Sequence, residues 1–226
     1  MIIRSEKYNE IKQDLQLLAE TLIKQYVLVE DLLINGWKEG NYKQFLDHEE
    51  LINTLENSML HKLSGIVIQF SPKGKDLRNI VYCHEVVIYV ELVGNYLINI
   101  VNIIKEMGDQ SADYKDYRMA LLKYFERTKK MAQEACFSFN KEDAALANKI
   151  IQSYPNKDDQ NLKTNTINTI LTDFEEIPLQ RQELITIIAF DKCFSFMEKL
   201  NEIAINIAKS TIFASQGDIK YNKNTL

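Results

Sequence analysis

The chain contains an internal repeat, which limits its possible folds more than any other feature of the sequence. Residues 90–101 read VELVGNYLINIV, and residues 197–208, at an offset of 107, read MEKLNEIAINIA with four identities. Pro72 and Pro178 precede the two copies at nearly equal distances. Self-similarity in the same order along both halves is best explained by duplication of one structural unit.

Each unit is predicted to be helical. The 226 residues include only 3 prolines and 7 glycines, too few for the turns of an all-β fold. Apolar residues recur at helical spacing in six segments: Tyr8–Ile34, Tyr42–Phe70, Asp76–Met107, Tyr114–Phe137, Glu142–Phe174 and Pro178–Ala214. We therefore predict an all-α fold of two tandem, pseudo-symmetric three-helix bundles, residues 1–108 and 109–226. The fifth helix should kink or break at Pro155, which removes a backbone donor.

Charge argues against a nucleic-acid partner. The net charge is -5, and the densest basic spot, Arg127 with Lys129-Lys130, has the composition of a solvated helix face. We expect no nucleic-acid binding.

The sequence also favours a cytoplasmic protein that does not insert into a membrane. The first residues become charged before an apolar stretch of signal-peptide length can form. The most apolar run, Leu92 to Ile104, is shorter than the roughly 18 residues of a membrane span. The cysteines Cys83, Cys136 and Cys193 lie in apolar sequence and are predicted to be buried thiols. With no nucleophile or phosphate-loop motif, we expect no enzymatic activity.

Polar residues form a stripe on the third helix and on the sixth. On the sixth they are spaced three or four apart, which puts them on one side of a helix: Asp191, Ser195, Glu198, Glu202 and Asn206. His84, Ile88, Glu91, Asn95 and Asn99 occupy the matching positions of the third helix. Burying an unpaired carboxylate is costly, so either the stripes face water or a cation neutralises them. The spacing alone leaves both alternatives open.

These stripes carry a family resemblance. Residues 91–100 resemble the PhoU signature ERIGDxAxNIA, and residues 198–208 are similar to a second copy of it. Asp76-Leu77-Arg78 looks like the DLR of that family, and residues 212–219 look like its terminal VTGEDI. The chain thus resembles PhoU along nearly its whole length, and the resemblance implies paired three-helix bundles.

The resemblance also implies bound metal. ExxxD motifs of the family are associated with metal clusters, which points to Glu198 and Glu202, with Asp191 on the same stripe. In the first repeat Glu91 is followed by Asn95, a neutral and weaker ligand, and Glu49 of the second helix resembles a facing ligand. We therefore expect a divalent or ferric ion (iron, zinc, manganese or magnesium), bound more strongly by the second repeat.

The function implied by the resemblance is regulation of phosphate uptake and phosphate-starvation signalling. The expected partners are a phosphate transporter component, a sensor histidine kinase, or both, and we expect a homodimer. One alternative is a metal-free helical adaptor of a Pit-type or sodium-coupled phosphate carrier. Another is a ferritin-like di-metal oxidase, although none of the histidines has the glutamate three residues earlier that such a site uses.

Overall fold

The protein is described by a computed structural model, which covers residues 5–107, 115–154, 164, 168 and 181–216. The described residues form helices and no strand, so the predicted all-α class is confirmed. The helices are α1 (Ser5–Asn35), α2 (Glu39–Phe70), α3 (Lys75–Met107), α4 (Lys115–Asn140), α5 (Ala144–Gln152) and α6 (Arg181–Gln216).

The predicted helix ends lie within three residues of the observed ones, apart from the fifth helix. α5 ends at Gln152, three residues before Pro155, so the predicted break is present. The predicted continuation to Phe174 lies outside the described residues, except for Thr164 and Asn168, which are both helical.

Local chemistry explains where the helices stop. Gly36 ends α1 at a φ of 80°, a left-handed conformation that glycine adopts without strain. Its N–H donates to the carbonyl of Leu32 at 3.0 Å. Asp143 caps α5, because its carboxylate accepts from the N–H of Leu146 at 2.9 Å.

The helices pack in two groups of three. α1, α2 and α3 contact one another, as do α4, α5 and α6. Between the groups, α1 packs on α4 and α3 packs on α6. Ser210 of α6 donates to Glu85 of α3, and Phe196 contacts Tyr96, so the two helices run antiparallel. The fold is thus two three-helix bundles; the predicted division near Gly108 lies outside the described residues.

The contact between α1 and α4 contains an ion pair that the sequence did not reveal. Lys129 donates to Glu30, and both side chains are more than four-fifths buried. Beside them the rings of Tyr26 and Phe125 are 5.7 Å apart in the core. The interpretation of Lys129 as part of a solvated face was therefore wrong, because the helical pattern does not show which neighbour covers a lysine.

The apolar character of α3 follows from its position between α1, α2 and α6. Among the described residues it is the one helix long and apolar enough to cross a membrane, a test that core helices of soluble proteins also pass. The three cysteines are buried free thiols, as predicted. Burial raises the pKa of each to about 12.

Candidate functional site

A cluster of carboxylates and amides lies where α1, α2 and α3 of the first bundle meet. Glu49 of α2 is half-buried, and its Oε2 accepts a hydrogen bond of 2.7 Å from Nε2 of Gln25 on α1. Gln25 is fully buried. On the other side Glu49 faces Gly94 of α3, where a Cβ atom would lie only 2.6 Å from Oε2. The glycine therefore lets the carboxylate lie against the α3 backbone.

Two more predicted residues lie next to this contact. Glu91 and Asn95 lie one helical turn apart on α3, and Nδ2 of Asn95 donates to Oε1 of Glu91 at 2.5 Å. Glu91 is half-buried and Asn95 is exposed. The structure thus brings together the three predicted site residues of the first repeat, Glu49, Glu91 and Asn95.

The carboxylates of this cluster repel one another. Desolvation raises the pKa of Glu49, the hydrogen bond from Gln25 opposes that shift, and the charge of Glu91 adds to it. Desolvation, followed by the charge of Glu91, also raises the pKa of Glu56. A raised carboxyl pKa means that the negative charge is poorly compensated. We name Gln25, Glu49, Glu91 and Asn95, with Gly94, the first-bundle cluster.

The first-bundle cluster fits a cation in its chemistry. Carboxylate and amide oxygens are the ligands of hard cations. Oε1 of Gln25 is buried and has no hydrogen-bond partner among the described residues, although buried acceptors usually find one. The described residues do not, however, bring three His, Cys, Asp or Glu side chains together as a metal-holding group. The candidate oxygen ligands of the first-bundle cluster are therefore the carboxylates of Glu49 and Glu91 and the side-chain amides of Gln25 and Asn95.

The second predicted set is more exposed where it is described. Glu202 has a side chain that is 50% exposed and accepts from Lys199 on the same helix at 2.9 Å. Glu198 and Asp191 are half-buried. The segment around Asp158-Asp159, which aligns poorly with the acidic motif of the second helix because of the break at Pro155, lies outside the described residues. The expected preference for Glu198 and Glu202 therefore stays a prediction.

The polar stripes of α3 and α6 are exposed or half-buried. On α3 the members His84, Ile88, Asn95 and Asn99 are exposed, and on α6 Asp191, Ser195, Glu198 and Asn206 are half-buried. Most of the α3 stripe therefore faces water, and Glu91 lies near enough to Glu49 for its charge to raise the pKa of that carboxyl. Neutralisation by a cation stays a prediction.

Sequence reasoning missed two members of the first-bundle cluster. Gln25 has no distinguishing pattern on α1, since a buried amide among apolar residues is visible only when its partner is known. Gly94 did leave a signal. A glycine inside a helix costs about 1 kcal/mol relative to alanine, so its presence indicates a close approach by another group.

Comparisons with known proteins agree with this architecture. The family model described as PhoU domain matches residues 15–104, which include the first-bundle cluster. No curated protein matches the sequence. The crystal structure of PhoU from Pseudomonas aeruginosa is similar with a TM-score of 0.77 and 19% identity, covering 95% of this chain and 99% of that one.

A second solved structure gives the same result. The phosphate transport system regulatory protein PhoU from Streptococcus pneumoniae is similar with a TM-score of 0.67 and 13% identity, covering 95% of this chain and 97% of that one. At these identities the likeness establishes a shared fold.

Proposed function

Because residues 15–104 match the PhoU domain model, we propose that this chain is a PhoU-family protein that regulates phosphate transport by contact with other proteins. The carrying observation is the PhoU domain match together with the PhoU fold along 95% of the chain. The partner would be a phosphate transporter component, a sensor histidine kinase, or both.

The chemistry of the described residues supports contact over turnover. All three thiols are buried, and burial raises the pKa of each to about 12, which suppresses the thiolate that a nucleophile needs. The proposal assigns the protein to the cytoplasm, where a transporter ATPase or a kinase is accessible. With a net charge of -5, the protein would be weakly repelled by anionic lipid, so a protein partner must supply the attachment.

The proposal includes a bound cation in the first bundle. Glu49 and Glu91 would supply charge and Asn95 a neutral oxygen. A divalent ion would offset the desolvation and the charge of Glu91 that raise the pKa of Glu49. Oxygen ligands suit magnesium or manganese better than zinc, which prefers nitrogen or sulfur. Glu198, Glu202 and Asp191 are the proposed ligands of a second site on α6.

Deletion of the gene tests the regulatory part. Phosphate uptake should rise, or phosphate-starvation genes should be expressed, during growth in ample phosphate. Affinity purification of the full chain should recover a transporter component or a sensor kinase. A deletion strain with unchanged uptake and unchanged starvation-gene expression, and no such protein recovered, would refute the regulatory role.

Elemental analysis of protein purified without chelator tests the cation part. Glu198→Gln combined with Glu202→Gln should remove more metal than Glu91→Gln, because Asn95 leaves the first repeat with fewer charges. Equal loss from both changes would contradict this asymmetry. Protein that contains no metal but still complements the deletion would favour the metal-free adaptor.

A further inference from the structure

The buried amide of Gln25 has a hydrogen-bonding capacity that the fold does not use. The side chain is fully buried on α1, its Nε2 donates to Glu49, and its Oε1 has no partner among the described residues. A buried amide oxygen without a partner is destabilising, because the hydrogen bond that it made to water in the unfolded chain is not replaced. A leucine or methionine would fill the same space without that cost.

The second bundle also contains a buried side-chain amide whose oxygen has no partner in the described part of the chain, but a different helix of the bundle carries it. Asn201 of α6 corresponds to Gly94 of α3 at the offset of 107, and it is buried with its Oδ1 unpartnered among the residues that the structure describes. On α4, Thr128 takes the place of Gln25. This match follows from the equal spacing of buried positions, 18, 22, 25, 29, 32 and 33 on α1 against 121, 125, 128, 132, 135 and 136 on α4.

The buried amide thus lies on different helices in the two repeats. The first has an amide on α1 and a glycine on α3, and the second has a hydroxyl on α4 and an amide on α6. Each bundle contains one buried amide whose carbonyl oxygen lacks a protein partner among the described residues. Buried acceptors usually have a partner, and a bound cation would supply one to Gln25.

From these contacts we infer that Gln25 is a working member of the proposed cation site: Nε2 positions the Glu49 carboxylate, and Oε1 supplies a neutral oxygen ligand. This inference rests on the cation part of the proposed function. With Gln25 the cluster offers two carboxylates and two amides as oxygen ligands, and Glu56 adds a third negative charge close to Glu91. Cys83, the cysteine on the same helix as Glu91, precedes it by eight residues, about 12 Å along α3.

The test measures Mn²⁺ binding to the full-length protein. The protein is first treated with a chelator, and binding is then monitored by electron paramagnetic resonance and by calorimetry. Gln25→Met keeps the length of the side chain and removes both polar atoms. It should weaken Mn²⁺ binding by about 10- to 100-fold, the usual effect of losing a residue that orients a ligand. The matched control is Gln16→Met on the exposed face of α1, which should bind Mn²⁺ as the original protein does.

Gln25→Glu is the second variant, and it decides the matter if Gln25→Met does not fold. It keeps an oxygen ligand at the same place but loses the Nε2 donor that positions Glu49, so it should bind Mn²⁺ more weakly than the original protein and more tightly than Gln25→Met. Unchanged binding by Gln25→Met, or no detectable binding by Gln25→Glu, would overturn the inference and leave the proposed cation site standing. An original protein that binds no Mn²⁺ would overturn both, whereas the regulatory role is tested separately by phosphate uptake.

Discussion

Glu49 lies against α3 because Gly94 has no side chain. A Cβ at that position would approach Oε2 of Glu49 to 2.6 Å, a distance at which the carboxylate must move. The carboxylate is the flexible end of its side chain, but its movement away from α3 strains the 2.7 Å hydrogen bond from the fully buried Gln25. The glycine therefore determines the geometry of the cluster although it contributes no ligand atom.

Replacement of this glycine by alanine is expected to destabilise the chelator-treated protein. Alanine improves helix propensity by about 1 kcal/mol. Loss of the hydrogen bond to a charged group costs about 1.5 to 3 kcal/mol, so Gly94→Ala should lower the free energy of unfolding by about 1 kcal/mol. Urea denaturation measures the change.

Gly65 of α2 provides the matched control. A Cβ there would meet nothing within 4 Å. Gly65→Ala should therefore raise the free energy of unfolding by about 0.5 to 1 kcal/mol. If both alanines stabilise the protein equally, the close approach of Glu49 to Gly94 is wrong.

The buried thiols make stability depend on alkaline pH. Desolvation raises the pKa of Cys83, Cys136 and Cys193 from 9.0 to about 12. Because their folded-state pKa values are raised, their contribution to stability is complete below pH 9.0 and is lost as the pH rises towards 12. Urea midpoints should fall across this interval, and replacement of all three by alanine should make the fall shallower.

At the scale of helices, α1 belongs to both the candidate site and the bundle interface. One side of it supplies Gln25 to Glu49, and its C-terminal half places Glu30 against Lys129 of α4. The two side chains are only 18% and 19% exposed, so solvent screens the pair weakly. This pair should therefore contribute more to stability than the exposed pair on α6.

Removal of the ammonium group tests this difference. Lys129→Met leaves Glu30 largely buried without its partner, and we expect a loss of about 2 to 3 kcal/mol in the free energy of unfolding. Lys199→Met breaks a pair whose side chains are half exposed, and it should cost less stability than Lys129→Met. Chemical denaturation of both variants gives the comparison, and equal losses would contradict the burial of the α1 to α4 pair.

For the whole molecule, contacts between the bundles should make unfolding cooperative. α1 packs on α4 and α3 packs on α6, with Tyr96 and Phe196 centroids 5.9 Å apart. The only tryptophan, Trp37, lies at the end of the first bundle beside Tyr42. Its fluorescence therefore reports on the first bundle, whereas far-ultraviolet circular dichroism reports on both.

We expect one urea transition with the same midpoint for tryptophan fluorescence and for circular dichroism, since coincident probes indicate two-state unfolding. Phe196→Ala removes an aromatic contact between the bundles and should shift both midpoints together. A fluorescence midpoint that differs from that of circular dichroism would mean that the bundles unfold independently.

The sequence by itself determined the helical class, the repeat and most helix ends. Apolar spacing, glycine and proline act on near neighbours along the chain, so their effects can be read without the fold. Glu91 and Asn95 were predicted together for the same reason, because residues four apart on a helix are adjacent.

Only the tertiary structure decided which residues of different helices meet. Gln25, Glu49 and Gly94 come from three helices, and Lys129 finds Glu30 across the two bundles. Such contacts depend on the rotation and offset of each helix against its neighbours, which packing sets and helical periodicity leaves open. The buried amide oxygen of Gln25 was invisible in the sequence for that reason.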